Sequence, residues 1–323
     1  MLCVVIGHSY LGEFCNGPQW ENVLTRIAYS FHMPLFMAIS GFLFYKTRLS
    51  PAVPGGNRKW TFLSMLSDKC LRLLLPYCVL SVFGFLAKMA CPSDVSRTVS
   101  FSLKSLLSAF IYPYDNPLRE LWFIATLFWM FLLMPLWRLC LRNSVVKWSV
   151  LALLLGLHFY HFEIELFCLN YFFAFAVFFY LGLLASESKW VEAFVDARRW
   201  YVAAGGLLVF ILGWFVNSFI ATIGGIVCSV ALAMVFDHTV PKMFSSFRDY
   251  TYQIFLMGLF PQFLVKILFR HFELPYVPAY IVCILSGIYI PVLLSLLLKY
   301  INWPPLLYCV GMKPKTNRGR VSI

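Results

Sequence analysis

The chain has 323 residues, of which 61% are hydrophobic and only 12% are charged. Water-soluble domains carry roughly 25% charged residues and about 45–50% apolar ones. This composition excludes a disordered chain, a small secreted domain stapled by disulfides and a nucleic-acid-binding protein. It indicates a polytopic membrane protein, because each membrane-spanning helix needs about 20 mostly apolar residues. In a membrane protein the formal net charge of +12 is expected to reflect an excess of Lys and Arg in the cytoplasmic loops.

Ten apolar runs separated by short charged turns predict ten transmembrane helices. The runs are too long for membrane β-strands and lack their alternation of apolar and polar residues. We therefore expect an all-α fold, with one membrane-embedded domain over residues 1–323 that ends in a short basic cytoplasmic tail at 302–323. The runs lie near residues 1–11, 27–45, 73–90, 120–137, 146–160, 166–185, 200–216, 219–236, 250–269 and 278–300.

The first run is too short to cross a bilayer, since its helix would cover about 16 Å of a hydrocarbon core about 30 Å thick. No basic segment precedes it, which argues against a signal peptide. We expect either a half-inserted helix or a true start upstream of Met1.

The distribution of Lys and Arg between alternate loops predicts that both termini lie in the cytoplasm. With the N-terminus inside, 19 of the 26 Lys and Arg residues fall on the cytoplasmic side and 7 on the outer side. This excess follows the positive-inside rule and predicts a multi-pass protein of the plasma (inner) membrane. The residues expected on the outer side are Arg26, Lys88, Arg97, Lys104, Arg119, Lys266 and Arg270.

Polar residues at membrane depth are costly, so they are candidates for function. The first is His8, whose imidazole suits a base, an acid or an acyl acceptor, although a histidine at a helix end can also be satisfied by headgroups or a carbonyl. The second is the segment that begins at His32. Pro34 frees a backbone carbonyl there, and Ser40 and Gly41 permit close helix approach. This pattern fits a helix lining a polar cavity or a kinked packing helix.

Two further groups of residues carry charge near the membrane surfaces. Lys69 and Arg72 are three residues apart on one helix face and suit a phosphate-bearing ligand, or else they are anchors that reach lipid headgroups. Arg119, Glu120 and Trp122 lie at the outer start of the fourth span, where Trp also belongs to the interfacial belt.

No metal site is expected. His158 and His161 are three residues apart, but the spacing fixes no third ligand for them.

Together these segments resemble the integral-membrane acyltransferase 3 family, whose members O-acylate sugars and surface polysaccharides. The resemblance spans nearly the whole chain and rests on four short motifs in the expected order. They are the Val-rich stretch that ends at His8, Phe31 to Phe36 running into Ser40 to Leu43, Lys69-x-x-Arg72 followed by Leu75-Pro76-Tyr77, and Leu121-Trp122-Phe123-Ile124.

The chain departs from the family pattern at two places. An arginine expected eleven residues before His8 would lie upstream of Met1. Where family members often have a histidine, this chain has Met257 and Gly258 after Leu256.

The resemblance implies a membrane O-acetyltransferase that takes an acetyl group from acetyl-CoA, without a metal, and transfers it to a hydroxyl of a cell-surface glycan or lipid-linked sugar. His8 would be the base or a transient acyl carrier, and Lys69 and Arg72 would bind the CoA phosphates. Membrane lipids are the other expected partner, and nucleic acid is not one. The residues implied for the cavity and the acceptor side are His32, Ser40, Gly41, Arg119, Glu120 and Trp122.

Two other classes remain open from the sequence. A transporter or flippase of glycans or lipid-linked sugars would also have about ten spans, but it should contain two related halves or paired interrupted helices, and we find neither in the sequence. A non-catalytic membrane scaffold is the second alternative. An in-frame upstream extension with Arg eleven residues before His8 would favour the enzyme.

Overall fold

A computed structural model describes residues 1–12, 18–50, 58–90, 102–242 and 244–314, and of residues 58–61 and 90 it describes the backbone only. Arg97 of the predicted outer cations and residues 315–323 of the predicted tail lie outside these ranges. The described chain is helical and contains no β-strand. Its α-helices are α1 (Leu2–His8), α2 (Gln19–Phe44), α3 (Arg58–Lys69), α4 (Leu75–Ala90), α5 (Leu103–Ile111), α6 (Trp122–Leu132), α7 (Met134–Cys140), α8 (Ser144–Phe159), α9 (Leu169–Glu187), α10 (Lys189–Ala197), α11 (Arg199–Val216), α12 (Ser218–Thr239), α13 (Thr251–Met257), α14 (Leu259–Phe272), α15 (Tyr276–Ile301) and α16 (Pro304–Cys309).

The all-α polytopic membrane fold is confirmed, and fewer helices of the described chain reach the length of a span than the ten apolar runs predicted. Within the described ranges, six helical segments are long and apolar enough to cross a membrane, and two bent helix pairs raise the number to at most eight. The remaining two runs fall short because α1 has 7 residues and α8 has 16, against the 18 or more in each continuous span. The six continuous segments are Gln19–Leu49, Phe62–Met89, Leu166–Glu187, Arg199–Val216, Ser218–Thr239 and Tyr276–Ile301.

Prolines explain both bent pairs. The chain turns by 57° between α6 and α7, where Pro135 cannot donate a hydrogen bond to the carbonyl of Phe131. It turns by 59° between α13 and α14, where Pro261 has the same effect on the carbonyl of Met257.

A third proline, Pro34, lies inside α2 without breaking it. The carbonyl that Pro34 leaves without its helical donor belongs to Ser30, and the hydroxyl of Thr222 on α12 donates to this oxygen at 2.8 Å. A neighbouring helix therefore satisfies the freed carbonyl, which is how proline is tolerated within membrane helices.

The centre of the bundle is the crossing of α2 and α9. A Cβ atom on Gly41 would lie 2.0 Å from the carbonyl oxygen of Phe179, and one on Gly182 would lie 1.9 Å from that of Ala38. The two backbones therefore touch at positions where only glycine fits, as is common between membrane helices. Buried aromatic side chains surround the crossing, among them Phe44 and Phe179, whose ring centroids are 5.9 Å apart.

Candidate functional site

A cavity of about 960 Å³ contains His8 and is called here the His8 cavity. Its walls come from the end of α1, from α2, α4, α5 and α14, and from the segment that leads into α6. This volume is at the upper end of the range for small-molecule sites. The charged and histidine side chains that line it are His8, Lys88, Lys104, Asp115, Arg119, Glu120 and Lys266.

Within this cavity His8 faces a carboxylate and a phenol. The His8 Nδ1 atom is 3.9 Å from Oε1 of Glu120 and 3.3 Å from the hydroxyl oxygen of Tyr29. The side chain of His8 is 17% exposed and that of Glu120 is 30% exposed, so both can be reached from the cavity. His8, Glu120 and Tyr29 together resemble a catalytic histidine base with an acidic partner.

Buried polar contacts hold α1, and hence His8, in place. The side-chain amide of Gln262 on α14 donates to the carbonyl oxygen of Val5 and to the hydroxyl of Ser9, both at 2.9 Å. These residues lie on either side of His8 in the chain. Gln262 is 2% exposed and Ser9 is fully buried, so the two contacts are shielded from competing water.

A buried carboxylate fixes the chain just beyond His8. Glu21 on α2 is fully buried and accepts hydrogen bonds from the backbone N–H of Leu11 at 2.9 Å and of Gly12 at 3.2 Å. It also accepts one from the hydroxyl of Tyr276 on α15. A buried carboxylate is stable only when its oxygens accept hydrogen bonds, so these contacts are retained in the fold. They tie the segment after α1 to the long helices α2 and α15.

A second cavity, of about 420 Å³, contains Lys69 and Arg72 and is called here the Arg72 cavity. Ser40 and Arg48 also line it. Arg48 lies in a π-helical turn, Tyr45–Leu49, and Arg72 lies in another, Cys70–Leu74. Such turns are rare in proteins, and those that occur are often found at functional sites.

The acidic residue of the Arg72 cavity, Asp68, already has cationic partners. Its carboxylate lies 3.6 Å from Arg48 and 3.0 Å from Lys313. The Lys69 amino group lies 3.6 Å from the centroid of the Phe131 ring, a cation–π contact that leaves its charge available to a ligand. The cavity therefore combines three cations with one shared carboxylate, which suits an anion.

A small void shares lining residues with both cavities. A void of about 10 Å³ is lined by His8 and Glu120 from the His8 cavity and by Phe255 from the Arg72 cavity. Phe255 packs edge-on against Phe123 at 5.4 Å, and both rings line the Arg72 cavity. A volume of this size holds about one water molecule. His8 therefore lies where the two cavities approach each other.

Three of the residues expected to line a cavity serve packing instead. His32 is 2% exposed, donates from Nδ1 to the carbonyl oxygen of Ala28 at 2.7 Å, and packs edge-on against the ring of Tyr29. Gly41 forms the α2–α9 contact, and Trp122 packs on Tyr171 with ring centroids 4.1 Å apart. None of the three lines the cavities described above, because packing with neighbouring helices takes up their surfaces.

The other predicted residues divide between the two cavities. His8, Arg119 and Glu120 line the larger one, and Ser40, Lys69 and Arg72 line the smaller one. Ser40 does not line the cavity that contains His8, because it lies eleven residues, about three helical turns, further along α2 than Tyr29, which contacts His8.

The family model described as "acyltransferase domain", that of the acyltransferase 3 family, matches residues 1–296. The chain belongs to this family. A curated protein similar to this acyltransferase is the nodulation protein NolL of Mesorhizobium japonicum, which is 27% identical over 218 residues. The match covers 65% of this chain and 52% of that protein, so the acyltransferase matches about half the length of its curated relative. No solved structure matches it.

Family membership favours the enzyme over the transporter and the scaffold that the sequence left open. The chain is a multi-pass membrane protein of the acyltransferase 3 family. Within the described part of the acyltransferase, no three His, Cys, Asp or Glu side chains are grouped to hold a metal ion. His158, one of the two histidines considered for zinc, donates from Nδ1 to the carbonyl oxygen of Ala174 at 2.5 Å.

Proposed function

We propose that this acyltransferase moves an acetyl group from acetyl-CoA to a hydroxyl of a cell-surface glycan or lipid-linked sugar. The observation that carries the proposal is the position of the His8–Glu120 pair between two cavities, one of which is rich in cations. Acyl transfer needs a base within reach of both a donor and an acceptor, and this arrangement offers each substrate its own cavity.

The donor would bind in the Arg72 cavity. Arg48, Lys69 and Arg72 would contact the phosphates of acetyl-CoA, because guanidinium and ammonium groups make strong charge-assisted hydrogen bonds to phosphate oxygens. The pantetheine arm would point towards Phe123 and Phe255. These two side chains would have to move before the thioester reached His8, since the void there holds only about 10 Å³.

His8 would act as the general base. Its Nε2 atom takes the proton of the acceptor hydroxyl while the oxygen attacks the thioester carbonyl, and Glu120 stabilises the imidazolium that forms. The C–S bond then breaks, the new ester leaves with the acceptor, and the CoA thiolate recovers the proton from His8. In an alternative order, His8 first carries the acetyl group itself.

We place the Arg72 cavity on the cytoplasmic side of the plasma membrane and the His8 cavity on the outer side, with the N-terminus in the cytoplasm. The 19 to 7 distribution of Lys and Arg supports this orientation. Acetyl-CoA is made in the cytoplasm and surface glycans lie outside, so the acetyl group would cross the membrane within this protein.

The test is acetyl transfer by the purified full chain in lipid nanodiscs. Labelled acetyl-CoA is supplied with a glycan extract from a strain that lacks the gene, and labelled ester is measured by mass spectrometry. His8→Ala should lower the rate by at least about 10²-fold, the usual minimum for a general base. His161→Ala, a change at an exposed histidine outside both cavities, is the matched control and should behave as the wild type. Normal transfer by His8→Ala would refute the role of His8.

A further inference from the structure

The His8 cavity has an excess of positive charge that acetyl-CoA does not explain. Among its described lining residues are four cations, Lys88, Lys104, Arg119 and Lys266, and two carboxylates, Asp115 and Glu120. With His8 neutral, the formal charge of this lining is two positive. The donor phosphates have their own cations in the other cavity, so the charge here needs another counter-ion.

The cations reach the cavity from four separate parts of the chain. Lys88 lies on α4, Lys104 on α5, Arg119 just before α6, and Lys266 on α14. They are therefore brought together by the fold, even though like charges in one cleft repel each other and their repulsion lowers stability. An arrangement that costs stability and lines a cavity of ligand size is typical of a binding site.

Both carboxylates of the lining have partners within it. Glu120 faces His8 at 3.9 Å, and Asp115 accepts a hydrogen bond from the hydroxyl of Ser108 at 2.5 Å. Lys104 is exposed and Lys266 is half-buried, and both line the open space.

The expected topology strengthens the argument. Only seven Lys and Arg residues are expected on the outer side of the membrane, and four of these seven line this one cavity. Membrane anchoring would distribute cations around the perimeter of the bundle, whereas a cleft lined by one sign of charge concentrates ligands of the opposite sign.

We infer that the acceptor carries an anionic group, a phosphate or a carboxylate, close to the hydroxyl that is acylated, and that Lys104 and Lys266 bind it. This inference rests on the proposed function, since it describes the acceptor of that same reaction. It narrows the acceptor to a sugar linked to a lipid through phosphate or to an acidic glycan residue. Neutral glycans would bind less tightly because they bring no negative charge to a lining whose formal charge is positive.

The test measures anion binding directly and does not depend on knowing the sugar. The full chain is placed in nanodiscs of phosphatidylcholine, which has no net charge, and is saturated with CoA so that the Arg72 cavity is occupied. Inorganic pyrophosphate is then titrated as the phosphate probe and methyl glucuronoside as the carboxylate probe, with methyl glucoside as its neutral counterpart. Binding is followed by calorimetry.

We expect the wild type to bind one of the two anions more tightly than methyl glucoside, and the anion that binds identifies the source of the charge. The double variant Lys104→Gln, Lys266→Gln should weaken this binding by at least about ten-fold, as expected for two lost charge-assisted contacts. Lys242→Gln, an exposed lysine outside both cavities, is the matched control and should bind as the wild type does.

Two results would overturn the inference: no preference of the wild type for either anion, or an unchanged affinity in the double variant. Acetyl transfer to the glycan extract is measured on the same samples to separate the two proposals. If acetyl transfer depends on His8 but no anion binds, the inference about the acceptor is wrong and the proposed function stands. If an anion binds but no acetyl group is transferred from acetyl-CoA, anion binding by the His8 cavity stands and the proposed function is wrong.

Discussion

The pairing of His8 with Glu120 leads to a quantitative prediction. Their facing atoms, Nδ1 and Oε1, are 3.9 Å apart, and the two side chains are 17% and 30% exposed. At this distance opposite unit charges attract by about 1 kcal/mol in water and by about 4 kcal/mol at an effective dielectric constant of 20. The partial exposure of both groups puts the interaction between these limits. This free energy is available only when His8 is protonated, which in the proposed mechanism happens as the acceptor hydroxyl attacks.

Glu120→Gln removes the charge and keeps the shape of the side chain. We expect kcat to fall by roughly 5- to 10³-fold, because each 1.4 kcal/mol corresponds to a factor of ten in rate. The loss should be incomplete, since His8 lies in the last turn of α1 and the carbonyl end of a helix keeps about 0.3–1 kcal/mol of attraction for a cation. KM for acetyl-CoA should stay within about two-fold, because the change affects only the transition state and Glu120 does not line the Arg72 cavity.

The assay is steady-state acetyl transfer in nanodiscs, with acetyl-CoA varied at a fixed amount of glycan extract. Glu163→Gln, a change at an exposed carboxylate between α8 and α9, is the matched control and should keep both constants. A kcat within two-fold of the wild type for Glu120→Gln, in a preparation where His8→Ala is inactive, would refute charge stabilisation by Glu120. A rise in KM for acetyl-CoA without a fall in kcat would instead place Glu120 in donor binding.

Two further variants test the donor cavity and the helix crossing. Arg72→Ala should raise KM for acetyl-CoA by roughly ten-fold and change kcat less, because the lost charge binds donor phosphates away from the reacting atoms. The control is Arg142→Ala, a change at an exposed arginine. An unchanged KM would indicate that Arg72 is a lipid anchor. Gly41→Ala should lower the Tm of the purified protein, since overpacking at a backbone contact costs about 1–3 kcal/mol. Gly205→Ala, whose Cβ would meet nothing within 4 Å, should leave the Tm close to that of the wild type, and equal losses in the two variants would contradict this explanation.

The helical membrane fold could be predicted because hydropathy is a local property. A run of about 20 apolar residues has few alternatives to a membrane helix, whatever its neighbours are. The helices that lie outside the predicted runs are short: α3 has 12 residues, α5 and α10 have 9 each and α16 has 6. Such segments do not fill a window of span length, and α5 is amphipathic, with Lys104 and Ser108 on the face that lines the His8 cavity.

The candidate site could be predicted only in part, because its contacts join distant segments of the chain. His8 was identified as a polar residue at membrane depth and Glu120 as a charged residue near the membrane surface, but their pairing spans 112 positions of sequence and no local pattern reveals it. The same holds for Gln262, whose amide contacts Val5. Tyr29 is different, since it lies three residues before His32 on one face of α2, and this spacing was a signal that could have been used.

One sequence signal for the site lies in a run that hydropathy treats as an ordinary span. Within residues 250–269, Gly258 and Pro261 interrupt the helix, and the chain bends by 59° there. Helical hydrogen bonds that are broken at membrane depth must be satisfied by protein or water, so such a break occurs where the backbone borders a cavity or packs closely on a neighbour. Both conditions hold here: Gly258 lines the void beside His8, and a Cβ on it would lie 2.8 Å from the carbonyl oxygen of Gly287 on α15. The region where the family often has a histidine thus has Met257 and Gly258 in this chain, and the lack of a side chain on Gly258 allows the close approach to Gly287.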